Sequence, residues 1–508
     1  MKGRKAYFEM SNLRNKRLMW NTVSSITFQV TTVLCGFILP RLILQSYGSE
    51  VNGLVSSVQQ FLQIIAFMEL GVGAVVKSSL YKPLAENDTI KISEIMASAN
   101  KFFKKLALIL VVYVIGLIVF YPMISNQSFD WWYSALLIAA MSISSFAQYY
   151  FGIINQLLLT ADQKGYVQYI IQIVTLVVNT LACAVLIKMG SSIQMVKLTT
   201  SLIYLVRPLV LKLYVDRRYK IIKNIKYEGE PIKQKWNGVA QHVTAVVLDS
   251  TDSVVLTLFA TLSDVSIYYV YHMVVYGVKQ LFSVTANGIQ SALGELWAKK
   301  KYDELQEMFG WVEWSIHTAV TFLFTCTGLL IVPFVSVYTK GIDDINYIVP
   351  VFAILITMAN AAHCLRMPYN IMILAAGHYK QTQNSYIISA ILNIVVSVVT
   401  VKAFGLVGVA IGTLIGMAYQ TIWMALYVSK KIIQWPIKTF IKQSLIDMAT
   451  VIVIVVVTRW LPLRMESYFI WLVYSILVCL VAALVVLVMN FVLNKMYVCK
   501  LKYKVLKR

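Results

Sequence analysis

The sequence predicts an all-α polytopic membrane protein of about 14 transmembrane helices, built as two parallel six-helix repeats plus two C-terminal helices. Three observations carry that prediction. Apolar residues make up 59% of the chain and charged residues only 13%, about half the roughly 25% of a soluble domain. Apolar stretches of about 20 or more residues, each long enough to cross a bilayer, recur from end to end. Finally, "INQLLLTADQKGYVQYIIQIVTLVVN", closing on Asn179, is echoed much later by "YNIMILAAGHYKQTQNSYIISAILN", closing on Asn393.

Charge-poor stretches place the first six spans near 20–44, 54–78, 103–124, 133–159, 167–188 and 193–213. A second six lie near 238–260, 263–290, 312–338, 347–375, 383–403 and 405–428, and two more near 440–460 and 468–493. Helices are required because an isolated strand cannot satisfy its backbone in lipid, and no barrel-like alternation of apolar and polar residues is present.

The echo has a fixed offset. Asn155 and Asn370 stand 215 positions apart, Asn179 and Asn393 stand 214 apart, and Asn21 and Asn237 stand 216 apart. Asp88 and Asp303, each just past the second span of its set, again differ by 215. An even number of spans per copy gives both copies the same orientation, hence a parallel repeat about an axis normal to the membrane. The resulting organisation is an N-terminal half over 1–215, a basic linker over 216–236, a C-terminal half over 237–430, and two added helices with a basic tail over 431–508. The linker reads either as an amphipathic stretch on the inner leaflet or as a solvated connection.

Charge sets the expected orientation. Of 45 Lys and Arg, 35 fall in segments on one side, whereas the other holds only Lys188, Lys197, Lys340, Lys402, Arg459 and Arg464. This bias puts both termini in the cytoplasm. The net charge of +22 then reads as topology and contact with anionic membrane lipids. No stretch is long enough for a folded basic domain, so no nucleic-acid partner is expected. The six cysteines show no metal spacing, and the chain carries no phosphate-binding loop, nucleophile elbow or HExxH. The outer loops are too short for a catalytic domain. A transporter rather than an enzyme is expected, without a cofactor.

Some stretches are more specific. Arg41, Tyr47–Gly48, Gly53–Leu54, "ELGVG" at Glu69–Gly73 and "SLYKPLAE" at Ser79–Glu86 resemble the first two helices of bacterial oligosaccharide flippases. These belong to the multidrug/oligosaccharidyl-lipid/polysaccharide exporter superfamily. "SIYYVYHMVVYGVKQLF" resembles the paired-aromatic motif of its eighth helix, with His272 where Lys or Arg is commoner. The resemblance implies alternating-access transfer of undecaprenyl-diphosphate-linked oligosaccharide repeat units to the outer leaflet, for capsule or O-antigen-type polysaccharide. A polysaccharide polymerase and glycosyltransferases would be its functional partners. Two other readings stay open within the superfamily: a lipid II flippase and a cation-coupled multidrug exporter.

Charges within spans mark the candidate site. A cation at the bilayer centre costs about 2.5–3.5 kcal/mol on insertion scales, so such residues usually face a cavity or a partner. Arg41, His272, Lys279 and Arg366 are the candidates for binding an anionic sugar diphosphate. His272 and Lys279 are two turns apart on one face, and Pro368 is expected to break the tenth helix beside Arg366. Arg41 could instead snorkel to headgroups, as is expected of Arg207. Among the acids, Glu69, Asp249 and Asp252 read either as an ion-coupling site or as structural groups. Asp249 and Asp252 would neutralise Lys279 or His272, and Glu69 would belong to helix packing through its neighbouring glycines.

Overall fold

Apolar helix-forming runs separated by short polar steps fold as the sequence leads one to expect. The computed structural model describes residues 2–64, 66–124, 129–222, 225, 227, 229, 231–232, 251–461, 467–495 and 497. Among the described residues there are helices and no strands. In order these are α1 (Lys2–Ile64), α2 (Ala66–Glu86), α3 (Thr89–Ile124), α4 (Trp131–Ala147), α5 (Ile153–Ala161), α6 (Gly165–Lys188) and α7 (Ile193–Arg218). The described part of α8 covers 251–259. There follow α9 (Leu262–Ala298), α10 (Tyr302–Tyr338), α11 (Pro350–Leu365), α12 (Met367–Ala375), α13 (Tyr379–Tyr427), α14 (Ile437–Thr458) and α15 (Tyr468–Leu493).

Among the described residues, ten helical stretches are long and apolar enough to cross a membrane. Two of them hide a bend. Gly48 (φ 82°) interrupts α1 and Gly405 (φ 52°) interrupts α13, so each continuous helix is two. Only glycine enters this region without steric cost. With α1 and α13 opened there, and with α1's second limb joined to α2, α4 to α5, and α11 to α12, the described helices match the fourteen expected segments. Of the seventh, only 251–259 is described. Outward faces are apolar, as lipid requires: α15 exposes Leu480, Leu484 and Leu487 while burying Tyr474 and Asn490.

The chain divides into two compact units, Met1–Val246 with Thr261–Ser263, and Val247–Ala260 with Asp264–Arg508. In unit 1, α1 packs on α6 and α4 packs on α7. Asn21 ties α1 to the α5–α6 turn, donating to the Gln163 carbonyl at 2.8 Å and accepting from the Tyr166 N–H at 2.7 Å. In unit 2, α11 packs on α13, while α14 and α15 pack on α10 and on each other.

Each unit repeats one detail of side-chain bonding. In unit 1, Cys183 Sγ lies 3.3 Å from Asn179 Oδ1 and 3.8 Å from the Val196 carbonyl, and Thr200 donates to that same carbonyl at 3.1 Å. In unit 2, Ser397 Oγ lies 3.1 Å from Asn393 Oδ1 and 3.3 Å from the Val409 carbonyl, to which Thr413 donates at 3.1 Å. The equivalent positions differ by 213 or 214 residues throughout. Asn237, the later partner of Asn21 in the echo, lies outside the described residues. Asp88 caps α3, whereas Asp303 sits inside the first turn of α10, so that pair is not in equivalent register.

Candidate functional site

The interruption between α11 and α12 comes from Pro368 in the first turn of α12, where its missing N–H costs no helical bond. The break places Arg366 between the two helices with only 7% of its surface exposed. One guanidinium nitrogen of Arg366 lies 3.0 Å from His363 Nδ1. Arginine has no acceptor, so Nδ1 must accept and the ring is neutral, with its proton on Nε2. The positive charges of Lys279, from α9, and of Arg366 both act on His363 and on Cys364. Arg366 also acts on Tyr386 of α13, whose hydroxyl donates to Asn370 Oδ1 at 2.6 Å. Two cations, a neutral imidazole and an amide–phenol pair therefore converge from α9, α11, α12 and α13.

His272 lies two turns before Lys279 in a ladder of aromatic rings. It stacks on Tyr268 at 5.3 Å and Tyr276 at 5.5 Å and meets Tyr269 edge-on at 6.2 Å. Three of the four basic candidates thus belong to unit 2. Arg41 is half-buried in the first limb of α1, in unit 1.

The acids fall differently. Asp252 is buried, accepting from Thr413 Oγ1 at 2.6 Å and from the Tyr268 hydroxyl at 3.3 Å. Its hydrogen bonds to hydroxyls of α13 and α9 give the carboxylate a role in holding α8 within unit 2. Asp249 lies outside the described residues. Glu69 is in α2, but its side chain is outside the description.

Two expectations are corrected. Arg207 does not snorkel: Nε donates to Thr175 Oγ1 at 2.7 Å, and the guanidinium lies 3.7 Å from the Tyr204 ring centroid, between α6 and α7. Desolvated stacking on an aromatic face holds it among the helices. Lys197, assigned above to an outer segment, is buried in α7.

His363 was missed by sequence reasoning, although its spacing of three residues before Arg366 puts both on one helical face. A second missed set is Glu313, His317 and Asp447. Glu313 accepts from the Tyr369 hydroxyl and, at 2.8 Å, from Trp435 Nε1. The i, i+4 spacing of Glu313 and His317 inside an apolar span was the available signal. A groove of about 770 Å³ in unit 1 is lined by Lys101, Lys104, Lys105 and Lys212 against one carboxylate, Asp216. Among the described residues no group of three or more His, Cys, Asp or Glu is arranged to hold a metal ion.

No family model and no curated protein matches this chain. Solved structures do. The fold is similar to that of a lipid II flippase, MurJ, in an inward closed conformation, at 14% identity and TM-score 0.70, covering 92% of this chain and 98% of that one. It is also similar to an inward-facing multidrug resistance MATE family transporter of the MOP superfamily, at 14% identity and TM-score 0.62, covering 81% and 98%. A third likeness is to the Vibrio cholerae MATE transporter VcmN, at 11% identity and TM-score 0.56, covering 84% and 98%. The chain is a multi-pass α-helical membrane protein with the fold shared by these transporters.

Proposed function

We propose that this protein flips undecaprenyl-diphosphate-linked oligosaccharide from the cytoplasmic to the outer leaflet by alternating access, with both termini in the cytoplasm. The observation that carries this reading is the basic cluster at the α11–α12 break, where Arg366 is buried and Lys279 is half-buried. Lys279 and Arg366 act on one neutral histidine there, in a segment that crosses the membrane. Buried cations within spans mark ligand pathways by default, and a diphosphate that leaves water needs such charges to replace its hydration. Arg41 and His272 belong to the same proposal. The lysine-lined groove of unit 1 suits an anionic lipid headgroup. The function needs no cofactor in the chain itself, and its energy would come from an ion gradient.

The test is Lys279→Ala beside Lys279→Arg, scored by sidedness of the lipid-linked sugar in cells. The alanine variant should reach normal abundance while the lipid-linked sugar accumulates on the cytoplasmic face. The arginine variant should keep most activity, because charge is what is invoked. Wild-type transport in alanine variants of Arg41, His272, Lys279 and Arg366, singly and combined, would refute the proposal.

One observation favours a second reading. The likeness to a lipid II flippase extends over 92% of the chain, and lipid II presents the same diphosphate to a basic cluster. Rescue of cells depleted of their own lipid II flippase would select it. A cation-coupled drug exporter is less favoured, because it would want carboxylates where Lys279 and Arg366 stand.

A further inference from the structure

Unit 1 holds a second polar site that the basic cluster does not explain. Between α4, α5, α6 and α7 lies a pocket of about 230 Å³, lined by Ser144, Gln148, Gln168, Gln172, Tyr204 and Arg207. Amide groups are costly inside a membrane span, where an unmade hydrogen bond finds no water to replace it. Four glutamines nevertheless converge here, because Gln156 also lines the pocket and accepts from Gln148 Nε2 at 2.9 Å.

The backbone is shaped to present them. Residues Gln148–Gly152 form a π turn between α4 and α5, the kind of one-turn bulge that recurs at functional sites. Gly152 closes that turn against α7. A Cβ at this position would stand 2.7 Å from Gln148 Oε1 and 2.9 Å from Pro208 Cβ, so only glycine leaves the Gln148 amide where it is. Gln168 is buried, and Gln172 Oε1 is buried and accepts no hydrogen bond from the described residues. Arg207 is fixed at one wall by Thr175 and by the face of Tyr204.

The chemistry of the lining selects a ligand class. Neutral donors and acceptors outnumber charges, with one cation and no carboxylate. A bare diphosphate would call for more cations, and a cationic drug for an acid. Hydroxyl groups, each a donor and an acceptor, match amides that are likewise both. The volume is below the roughly 300–1,000 Å³ of sites for drug-sized ligands, which suits a single sugar ring.

We infer that this pocket is a sugar subsite, at which the glutamines of unit 1 hold one hydroxyl-rich ring of the lipid-linked oligosaccharide. The inference rests on the proposed flippase function and adds to it the residues that read the sugar rather than the diphosphate. Arg207 serves here as a hydrogen-bond donor to ring hydroxyls or an acidic sugar substituent.

The experiment compares retention of two lipids by the full chain in phosphatidylcholine nanodiscs, read by native mass spectrometry. One is the lipid-linked oligosaccharide extracted from the source cells, and the other is bare undecaprenyl diphosphate. Wild type should prefer the glycosylated lipid. Gln168→Leu with Gln172→Leu should lose about tenfold in affinity for it, as expected for two or so lost neutral hydrogen bonds. Retention of the bare lipid should not change, which also shows the variant to be folded. Equal retention of the glycosylated lipid by variant and wild type would overturn the subsite, as would parallel loss of both lipids. If wild type holds both lipids alike, the subsite is wrong while the flippase reading stands. If wild type holds neither, that reading falls and the subsite with it.

Discussion

His317 Nδ1 and Asp447 Oδ2 lie 2.6 Å apart inside unit 2, joining α10 to α14, the first of the two C-terminal helices. The contact is part of a chain of polar groups. Gln443 donates to Asp447 Oδ1 at 3.1 Å, Asn494 donates to Gln443 at 3.1 Å, and Trp314 donates to Asn490 at 2.7 Å. Helices have little hydrophobic reason to associate in lipid, so such bonds and close packing bind them. Removing one partner should therefore cost more than removing both. His317→Leu or Asp447→Leu alone should destabilise the chain by about 1–3 kcal/mol, the range for leaving one buried hydrogen-bonding group without its partner. The double variant should recover part of that loss. Thermal unfolding in detergent measures the cycle, and strictly additive effects would show that the two residues are not coupled.

Asp88 sets a pH dependence at the start of α3. Its carboxylate accepts from the Lys91 N–H at 3.0 Å, and this backbone bond is the main reason that its pKa falls below the usual 3.8. A lowered carboxylate pKa contributes stability above the unfolded value and loses it as pH falls through the folded one. Amide exchange in the first turn of α3 should accelerate as pH drops below about 4 in the wild type, after correction for intrinsic rates. Asp88→Asn, also a good cap, should remove that acid dependence. An unchanged profile in the variant would assign it to another group.

The helical segments were legible because each is written locally, in runs of apolar residues and in Pro368. The repeat was legible through its asparagines, yet the finer match of Cys183 with Ser397 was hidden. The two letters differ although both supply a small donor to an asparagine four residues earlier. The basic cluster was half legible. Lys279 and Arg366 announce themselves as charges in spans, but His363 acquires meaning only when Arg366 turns onto it at the helix break. Arg207 was read wrongly because its partner Thr175 sits on another helix, and the glutamines were passed over. Periodicity gives the face a residue occupies, never what that face meets. The same limit hid the bonds of Asp252 to Thr413 and Tyr268, which come from α13 and α9.

Orientation rests on the charge bias and can be tested directly. Single cysteines at Asp343, between α10 and α11, and at Ser191, between α6 and α7, should react with an impermeant maleimide in intact cells. Cysteines at Gln163 and Lys299 should react only after permeabilisation. The background should have its six native cysteines replaced. Labelling of Gln163→Cys from outside would invert the assignment.

The hairpin within α13 makes the sharpest packing prediction. After the bend at Gly405, glycines recur at 408, 412 and 416, one per turn along the face that meets the first limb. A Cβ on Gly412 would stand 2.2 Å from Ser397 Oγ and 2.8 Å from the Ser397 backbone nitrogen. A Cβ on Gly408 would stand 2.5 Å from the Thr400 carbonyl oxygen. Small residues at this spacing let two helices in lipid approach to backbone contact. Because the obstacle is backbone, no rotamer change can relieve it, and the limbs must separate. That would break the Ser397 contact to Val409 and the bond from Thr400 to the Gly408 carbonyl at 2.9 Å. Gly412→Ala should therefore cost at least the about 1–3 kcal/mol typical of overpacking, seen as a lower melting temperature. Gly116→Ala, where nothing lies within 4 Å of the added carbon, should be neutral or slightly stabilising, since alanine is the better helix former. Equal melting temperatures for the two variants would mean that the limbs of α13 are not in the contact described.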